Sequence, residues 1–172
     1  MQIANPIYDV VFKYLMDDGK VAKLLLSSII GQQVEVLEFL PQENIAELEY
    51  HSLTVYRLDF AAKIRTEEGL KNVIIEIQKA KFPSDITRLR RYLGDQYKKN
   101  LLPIISIYFL GHKLDNIEIP FIKVQRNYYD GVTGDVIQER EQFIESLGHD
   151  SFVIQIPYLR KRFQSDIEIL LS

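Results

Sequence analysis

The sequence predicts a single α/β (α+β) domain, spanning residues 1–172, in which helices flank a mixed β-sheet. A chain of 172 residues has the length of about one domain. A segment with two-residue periodicity turns back on itself near residues 66–69, which predicts a β-hairpin. Segments with helical periodicity lie on both sides of this hairpin and further strands follow, an order typical of a sheet covered by helices.

Two helices are predicted before the hairpin. Asn5 can cap the first helix and Pro6 suits its first position, and its apolar residues recur at helical spacing: Ile7, Val10, Val11, Tyr14 and Leu15. A break at residues 17–19 precedes a second helix that ends at Gly31, with one side formed by Val21, Leu24, Leu25, Ser28 and Ile29. The acidic segment 35–50 predicts irregular or weakly extended chain.

The hairpin strands are predicted from alternation and from the turn between them. Residues 52–65 place one set of side chains on an apolar face (Tyr56, Leu58, Phe60, Ala62 and Ile64) and the other set opposite (Arg57, Asp59, Ala61 and Lys63). Gly69 can supply the positive φ angle of the turn. The dense Val and Ile of residues 72–79 predict a returning strand in the middle of the sheet.

The second half of the chain predicts a long helix and several shorter elements. Pro83 and Ser84 begin a helix that runs to about residue 101, with an inner stripe of Ile86, Leu89, Leu93 and Tyr97. Strands are predicted at 105–110, at 117–129 and from 136, the last two around an Asp130–Gly131 turn, then a helix at 139–147 and a strand at 152–156. A final helix at 160–172 stops without a cap, which suggests that the chain is truncated at its C-terminus.

Composition excludes several classes of protein. A hydrophobic fraction of 47% and a charged fraction of 26% exclude a disordered chain. The absence of cysteine excludes a disulfide scaffold, a thiolate metal site and a cysteine nucleophile. No apolar run approaches the roughly 20 residues of a membrane span, and no signal peptide or P-loop motif is present. We therefore expect a soluble cytoplasmic protein without a nucleotide cofactor.

Charge is distributed unevenly along a chain whose net charge is −3. Residues 35–50 contain five acids and no Lys or Arg, whereas residues 79–100 contain seven bases and two acids. A local basic stretch of this kind can hold a polyanion such as DNA. The alternative is an ordinary solvated helix face.

A possible metal site follows from the geometry of the hairpin. If residues 67 and 68 form the loop, Asp59 lies directly opposite Glu76, and Gln78 shares their face. Two carboxylates that close repel each other unless a cation or a proton lies between them, and Mg²⁺ is held by one or two carboxylates together with water and phosphate oxygens. The alternative is an exposed hairpin face on which Arg57 and Lys63 neutralise the acids.

The same residues carry a resemblance to a known family. Asp59 followed by Glu76-Ile77-Gln78 resembles the D-(x)n-E-x-K signature of the PD-(D/E)XK nucleases, with Gln78 in the lysine position. The chain is most similar to the PD-(D/E)XK nuclease family transposases, related to the Rpn-like recombination-promoting nucleases, over about residues 5–130. The other supporting segments are residues 9–13 (DVVFK), 58–64 (LDFAAKI), and Phe82 followed by Arg88 and Tyr92.

The resemblance implies a restriction-endonuclease-like fold and a set of roles. Asp59, Glu76 and the Ile77 carbonyl would hold Mg²⁺ or Mn²⁺, with Asp9 as a further ligand. Gln78 would take the place of the lysine that orients the attacking water or stabilises the phosphate, although an amide brings no charge. Lys13 would serve both the catalytic site and DNA, and the remaining DNA contacts would come from Lys79, Arg88, Arg91 and Tyr92. The alternative for Asp9 and Lys13 is an ordinary i,i+4 ion pair.

Three hypotheses about function follow. The first is a Mg²⁺-dependent DNA endonuclease, a hydrolase linked by resemblance to transposition or DNA recombination, with a homodimer as a possible assembly. The second is a catalytically impaired DNA-binding or regulatory module that keeps the nuclease fold, which the uncharged Gln78 favours. The third is a protein-interaction domain, for which the net negative charge is the argument.

Overall fold

A computed structural model describes residues 18–40, 55–67, 69–80, 82–99 and 102–159. The predicted first helix, most of the acidic segment and the predicted last helix lie outside these residues. In chain order the helices are α1 (Gly19–Ile30), α2 (Ile86–Lys99) and α3 (Gln142–Ser146), with short 3-10 turns at Pro83–Asp85 and Ile156–Tyr158. The strands are β1 (Val34–Phe39), β2 (Val55–Thr66), β3 (Gly69–Ala80), β4 (Ile104–Leu110), β5 (Phe121–Val124), β6 (Tyr128–Tyr129), β7 (Val136–Ile137) and β8 (Asp150–Gln155).

Six of the eight described strands form a mixed sheet with the order β1-β2-β3-β4-β8-β5, and β6 and β7 form a separate two-stranded sheet. The pairs β1–β2, β2–β3 and β5–β8 are antiparallel, whereas β3–β4 and β4–β8 are parallel. The predicted mixed sheet with flanking helices is therefore confirmed at this coarse level. The predicted central place of residues 72–79 is also confirmed, because β3 lies between β2 and β4.

The hairpin register agrees with the sequence prediction. Thr66 pairs with Gly69, whose φ of 118° is a conformation that side chains disfavour, and Asp59 pairs with Glu76. Phe60, Ala62 and Ile64 are buried on one face, as the alternation predicts. That face forms the main hydrophobic core together with α1, the facing residues of β3 and β4, and Phe152 and Ile154 of β8.

Helix α1 begins and ends at residues suited to those positions. The Asp18 carboxylate accepts hydrogen bonds from the backbone N–H groups of Lys20 and Val21, and Gly31 takes the left-handed conformation with φ of 74°. The predicted apolar side is only partly correct, because Leu24 is exposed and the helix buries Ala22, Leu25, Leu26, Ile29 and Ile30. The side of α1 that packs on the sheet is therefore slightly rotated about the helix axis from the predicted side.

The start of the acidic segment forms a strand, so for residues 35–39 the extended form of the two predicted forms is the correct one. Residues Val34–Phe39 pair with β2, and Val34 is buried in the main core. The acid Glu35 forms an ion pair with Arg65 of β2, with 2.7 Å between the carboxylate and guanidinium atoms. The strand contains a bulge between Val34 and Val36, so Val34 and Leu37, which are three residues apart, both contact the apolar core.

The long helix α2 ends at Lys99, and its buried side differs from the predicted stripe. Asp85, rather than Ser84, accepts a hydrogen bond from the Phe82 N–H at the start of the helix. Leu89 and Gln96 are buried, whereas Ile86 and Tyr97 are exposed. The prediction assumed an apolar surface beneath the helix, but the sheet face below α2 carries polar side chains, so a glutamine rather than Tyr97 lies inward.

The C-terminal elements are shorter than predicted. Strands occupy only 121–124, 128–129 and 136–137 of the predicted ranges, and α3 has five residues. The turn after Tyr129 is confirmed, since Asp130 accepts hydrogen bonds from the backbone of Val132 and Thr133. The buried Gln155 connects the segment before β5 to β8 by bonding Leu114 N–H and the carbonyls of Ile117 and Ile119. Among the described residues, no helix is long and apolar enough to cross a membrane.

Candidate metal and nucleic-acid site

Two acidic side chains lie opposite each other on the sheet face that α2 covers. The β2–β3 register pairs Asp59 with Glu76, and paired residues of antiparallel strands project to the same side. Asp59 is 4% exposed and Glu76 is 0% exposed. The alternative of acids on an exposed hairpin face is therefore wrong, and Lys63, which is exposed and pairs with Asn72, lies farther along the hairpin from them.

Each carboxylate accepts a hydrogen bond from a neutral amide. Gln96 Nε2 of α2 donates to Asp59 Oδ2 at 2.7 Å, and Gln78 Nε2 donates to Glu76 Oε1. Both glutamines are buried. An amide donor stabilises a buried carboxylate without bringing a positive charge of its own.

Gln96 is a site residue that sequence reasoning missed. It lies seven residues after the buried Leu89, which is two helical turns and therefore the same side of α2. This spacing could have identified it, because a glutamine in line with a buried leucine must meet a polar partner. The prediction instead placed Tyr97, the last residue of the apolar stripe, on the inner side of the helix.

Gln78 occupies the position at which the resemblance places lysine. It shares the face of Glu76, as the two-residue spacing predicts, and it is 0% exposed. Its Nε2 donates a hydrogen bond to Glu76, while its Oε1 has no hydrogen-bond partner within the described part of the chain. The side chain can thus orient a group by hydrogen bonding, but it supplies no positive charge.

The polar residues continue beyond the carboxylates into the parallel strands. Ser106 of β4 lies beside Glu76, and Ser151 of β8 lies beside Ser106. Ser106 is 0% exposed, and its Oγ has no hydrogen-bond partner among the residues that the structure describes. Sequence analysis did not identify either serine, because a serine inside an apolar strand carries no signal of what lies on the neighbouring strand.

The arrangement fits a hard divalent cation in its chemistry. Two carboxylates, an amide oxygen and a hydroxyl are oxygen donors, and Mg²⁺ uses one or two carboxylates with water completing its ligands. The Ile77 side chain is buried in the core on the opposite face, so only its backbone carbonyl could contribute. Within residues 18–159, as far as they are described, no three or more His, Cys, Asp or Glu residues cluster as in an all-protein metal site.

The predicted DNA contacts lie on two different surfaces. Arg88 and Arg91 are exposed on α2, and Tyr92, one turn after Arg88, is half-buried. The exposed basic residues of α2, named the basic ridge below, are Arg88, Arg90, Arg91, Lys98 and Lys99. Lys79 is half-buried and follows Gln78 on the strand, so it projects to the other side of the sheet. Asp9 and Lys13 lie outside the described residues.

Burial restricts access to the carboxylates. With Asp59 and Glu76 at 4% and 0% exposure, a phosphodiester group cannot contact both in the described arrangement. Helix α2 is one cover, since Gln96 contacts Asp59 directly. Any cleavage of a polymer at this site therefore requires a covering element to move.

A second polar cluster lies at the exposed side of α2. The Tyr97 hydroxyl and His149 Nδ1 are 2.8 Å apart, and Arg126 forms ion pairs with Glu145 and Asp150. Partial burial raises the pKa of Tyr97, the charge of Arg126 opposes this effect, and the charge of Glu76 adds to it. Burial also lowers the pKa of His149, and the neighbouring Arg126 lowers it further. The structure therefore favours a neutral His149.

Lowering the pH from 7.5 to 5.5 is expected to destabilise the protein through His149. Its folded-state pKa lies below the ordinary value of 6.5, so the unfolded chain binds the proton more readily. The stabilisation from the neutral ring is complete above about pH 6.5 and is lost as the pH falls through this range toward the folded-state pKa. Urea midpoints across this range measure the effect.

His149→Gln should reduce this pH dependence, whereas the control Gln142→Asn, on the exposed side of α3, should leave it in place. An equal loss of stability at pH 5.5 in the wild type and in His149→Gln would show that His149 does not contribute.

Comparison of the chain with protein-family models, with curated proteins and with solved structures finds no match.

Proposed function

We propose that this protein is a Mg²⁺-dependent DNA endonuclease of the PD-(D/E)XK type, with the restriction-endonuclease-like fold that this class implies. The observation that carries the proposal is the in-register Asp59–Glu76 pair, buried on one sheet face and held by two amide donors. Such a pair is costly to bury for structural reasons alone. A divalent cation offsets the repulsion between the two carboxylates and gives the pair a function.

The residues of the chain have distinct parts in this proposal. Asp59 and Glu76 hold the cation, and Gln96 fixes the orientation of Asp59 through its 2.7 Å hydrogen bond. Gln78 orients the attacking water or the phosphate by hydrogen bonding, and the basic ridge positions the DNA backbone. When bound, Mg²⁺ supplies Lewis-acid polarisation of the phosphate and lowers the pKa of water. The role in transposition or recombination rests on the resemblance alone.

The basic ridge makes a prediction about DNA binding. The helix carries five exposed bases and one acid, Asp95, which is 3.9 Å from Lys98. Replacing Arg88 and Arg91 together by Gln should remove about two phosphate contacts and reduce the slope of log K against log [salt] by roughly 2. Fluorescence anisotropy of a labelled duplex at several salt concentrations measures this slope.

The control for the ridge is Lys71→Gln, since Lys71 is exposed near the turn of the hairpin, far along β3 from Gln78. Its salt slope should equal that of the wild type. Equal slopes in the ridge variant and the wild type would place the DNA contact elsewhere or exclude it.

The second candidate function is a catalytically impaired nuclease-fold module that binds DNA or regulates another protein. Two observations favour it: the uncharged Gln78 in the lysine position, and the 0% exposure of Glu76. Under this function the carboxylate pair is retained while cleavage is lost. DNA binding through the basic ridge is common to both functions.

A plasmid assay separates the two functions. Supercoiled DNA is incubated with the full chain in Mg²⁺, Mn²⁺ or EDTA, and nicked and linear products are quantified. Cleavage with either metal that EDTA abolishes supports the endonuclease. Salt-sensitive binding without cleavage supports the impaired module, and absence of both leaves a protein-interaction domain. Sedimentation of the protein with and without DNA tests the homodimer that cutting of both strands would favour.

A further inference from the structure

A row of four polar residues crosses the sheet beneath α2. Successive strand pairings place Asp59 of β2 beside Glu76 of β3, Glu76 beside Ser106 of β4, and Ser106 beside Ser151 of β8. Adjacent strands are about 4.8 Å apart, so each side chain of the row has the next within reach of one water molecule. The row therefore extends the carboxylate site toward β8.

Ser106 is a fully buried member of the row with an unsatisfied polar atom. The residue is 0% exposed, and its Oγ has no hydrogen-bond partner within the described ranges. The Tyr108 hydroxyl is close enough to Ser106 for the serine to lower the pKa of Tyr108, although burial, the larger effect, raises this pKa. Gln78 Oε1, also on a fully buried side chain of this face, is a second unsatisfied oxygen beside Glu76.

Unsatisfied polar atoms in a protein interior are destabilising, and ordered water is the usual partner when side chains do not supply one. Packing alone does not explain the hydroxyl, because alanine would fill nearly the same space in β4 without burying an unsatisfied oxygen. Ser106 lies across the strand pair from Glu76 and Gln78 lies two residues along β3 from it, so these oxygens and the carboxylate can supply the two to four polar partners that a buried water needs.

We infer that Ser106 is a positioning residue whose hydroxyl binds a water ligand of the divalent cation held by Glu76. This inference rests on the proposed function and names a residue that the D-(x)n-E-x-K pattern does not contain. Ser106 acts through the water and does not touch the cation itself. Loss of such an indirect contact typically weakens metal binding 10- to 100-fold.

Titration with Mn²⁺, followed by electron paramagnetic resonance of the free ion, tests the inference without any cleavage assay. Ser106→Ala should bind Mn²⁺ at least about 10-fold more weakly than the wild type. Ser106→Thr keeps the hydroxyl and should restore most of the affinity, and the control Ser146→Ala, on the exposed side of α3, should match the wild type. If Ser106 acted through packing alone, Ser106→Thr would weaken Mn²⁺ binding more than Ser106→Ala, because the threonine adds a methyl group while the alanine removes only one oxygen.

The outcomes separate this inference from the proposed function. If the wild type binds no Mn²⁺, the proposed function is overturned and the inference with it. If the wild type binds Mn²⁺ and Ser106→Ala binds it equally well, only the inference is overturned. A high-resolution crystal structure with Mn²⁺ gives an independent measurement: a water within hydrogen-bond distance of Ser106 Oγ supports the inference, and its absence overturns it.

Discussion

Asp59→Asn and Glu76→Gln are each expected to reduce metal-dependent DNA cleavage at least about 100-fold, because each removes one of the two charges that hold the cation. Both changes keep the shape of the side chain and its acceptor oxygen. Gln96 can still donate to residue 59, and Gln78 to residue 76. The free energy of unfolding should therefore stay within about 1 kcal/mol of the wild type. The plasmid assay and urea unfolding, run on the same preparations, measure the two quantities.

The control for these variants is Glu38→Gln. Glu38 is an exposed acid on β1 that pairs with Ala61, two residues from Asp59 along β2. Its removal changes the net charge by the same amount and should leave cleavage unchanged. Undiminished cleavage in both Asp59→Asn and Glu76→Gln would place the catalytic centre elsewhere. Cleavage reduced equally in all three variants would point to a general effect of charge on DNA binding.

Gln96→Leu is expected to impair both folding and metal binding. The variant keeps a buried side chain of similar size but removes the amide that donates to Asp59 Oδ2. A hydrogen bond to a charged group contributes about 1.5–3 kcal/mol, so the free energy of unfolding should fall by about 2 kcal/mol. Because Asp59 also loses its fixed orientation, the affinity for Mn²⁺ should fall about 10-fold or more. Urea unfolding at pH 7 and Mn²⁺ titration measure these changes.

The comparison variant is Gln142→Leu, on the exposed side of α3. It makes the same chemical change where no buried carboxylate depends on the amide, and both stability and Mn²⁺ affinity should remain close to the wild type. A Gln96→Leu protein as stable as the wild type would show that the contact with Asp59 contributes nothing. Reduced stability with unchanged Mn²⁺ affinity would make Gln96 a structural residue only.

The hairpin shows how much of the fold the local sequence pattern can predict. Alternation from Phe60 to Ile64 identifies the apolar face of β2, and the turn at Gly69 determines the register. In an antiparallel hairpin the turn aligns every later pair, so the Asp59–Glu76 pairing follows from residues close together in sequence. The C-terminal end of α1 follows for the same reason, because Gly31 acts on its own helix.

The buried side of α2 and the register of the parallel strands cannot be predicted from the local sequence pattern. The periodicity of α2 is compatible with more than one buried side of the helix. The residues of the sheet beneath it decide that Leu89 and Gln96 are buried while Ile86 and Tyr97 are exposed. The register that places Ser106 beside Glu76 joins strands separated by a whole helix. No turn aligns such strands, so the alignment depends on how α2 packs.

The amino-acid sequence alone therefore determines the hairpin, the C-terminal end of α1 and the pairing of the two acids, because each depends on contacts between neighbours in the chain. Only the tertiary structure decided that these acids are buried, that Gln96 supports one of them, and that Ser106 continues the row. Those features depend on free energies of packing between distant segments, where the removal of water from polar groups determines which side chains can face each other.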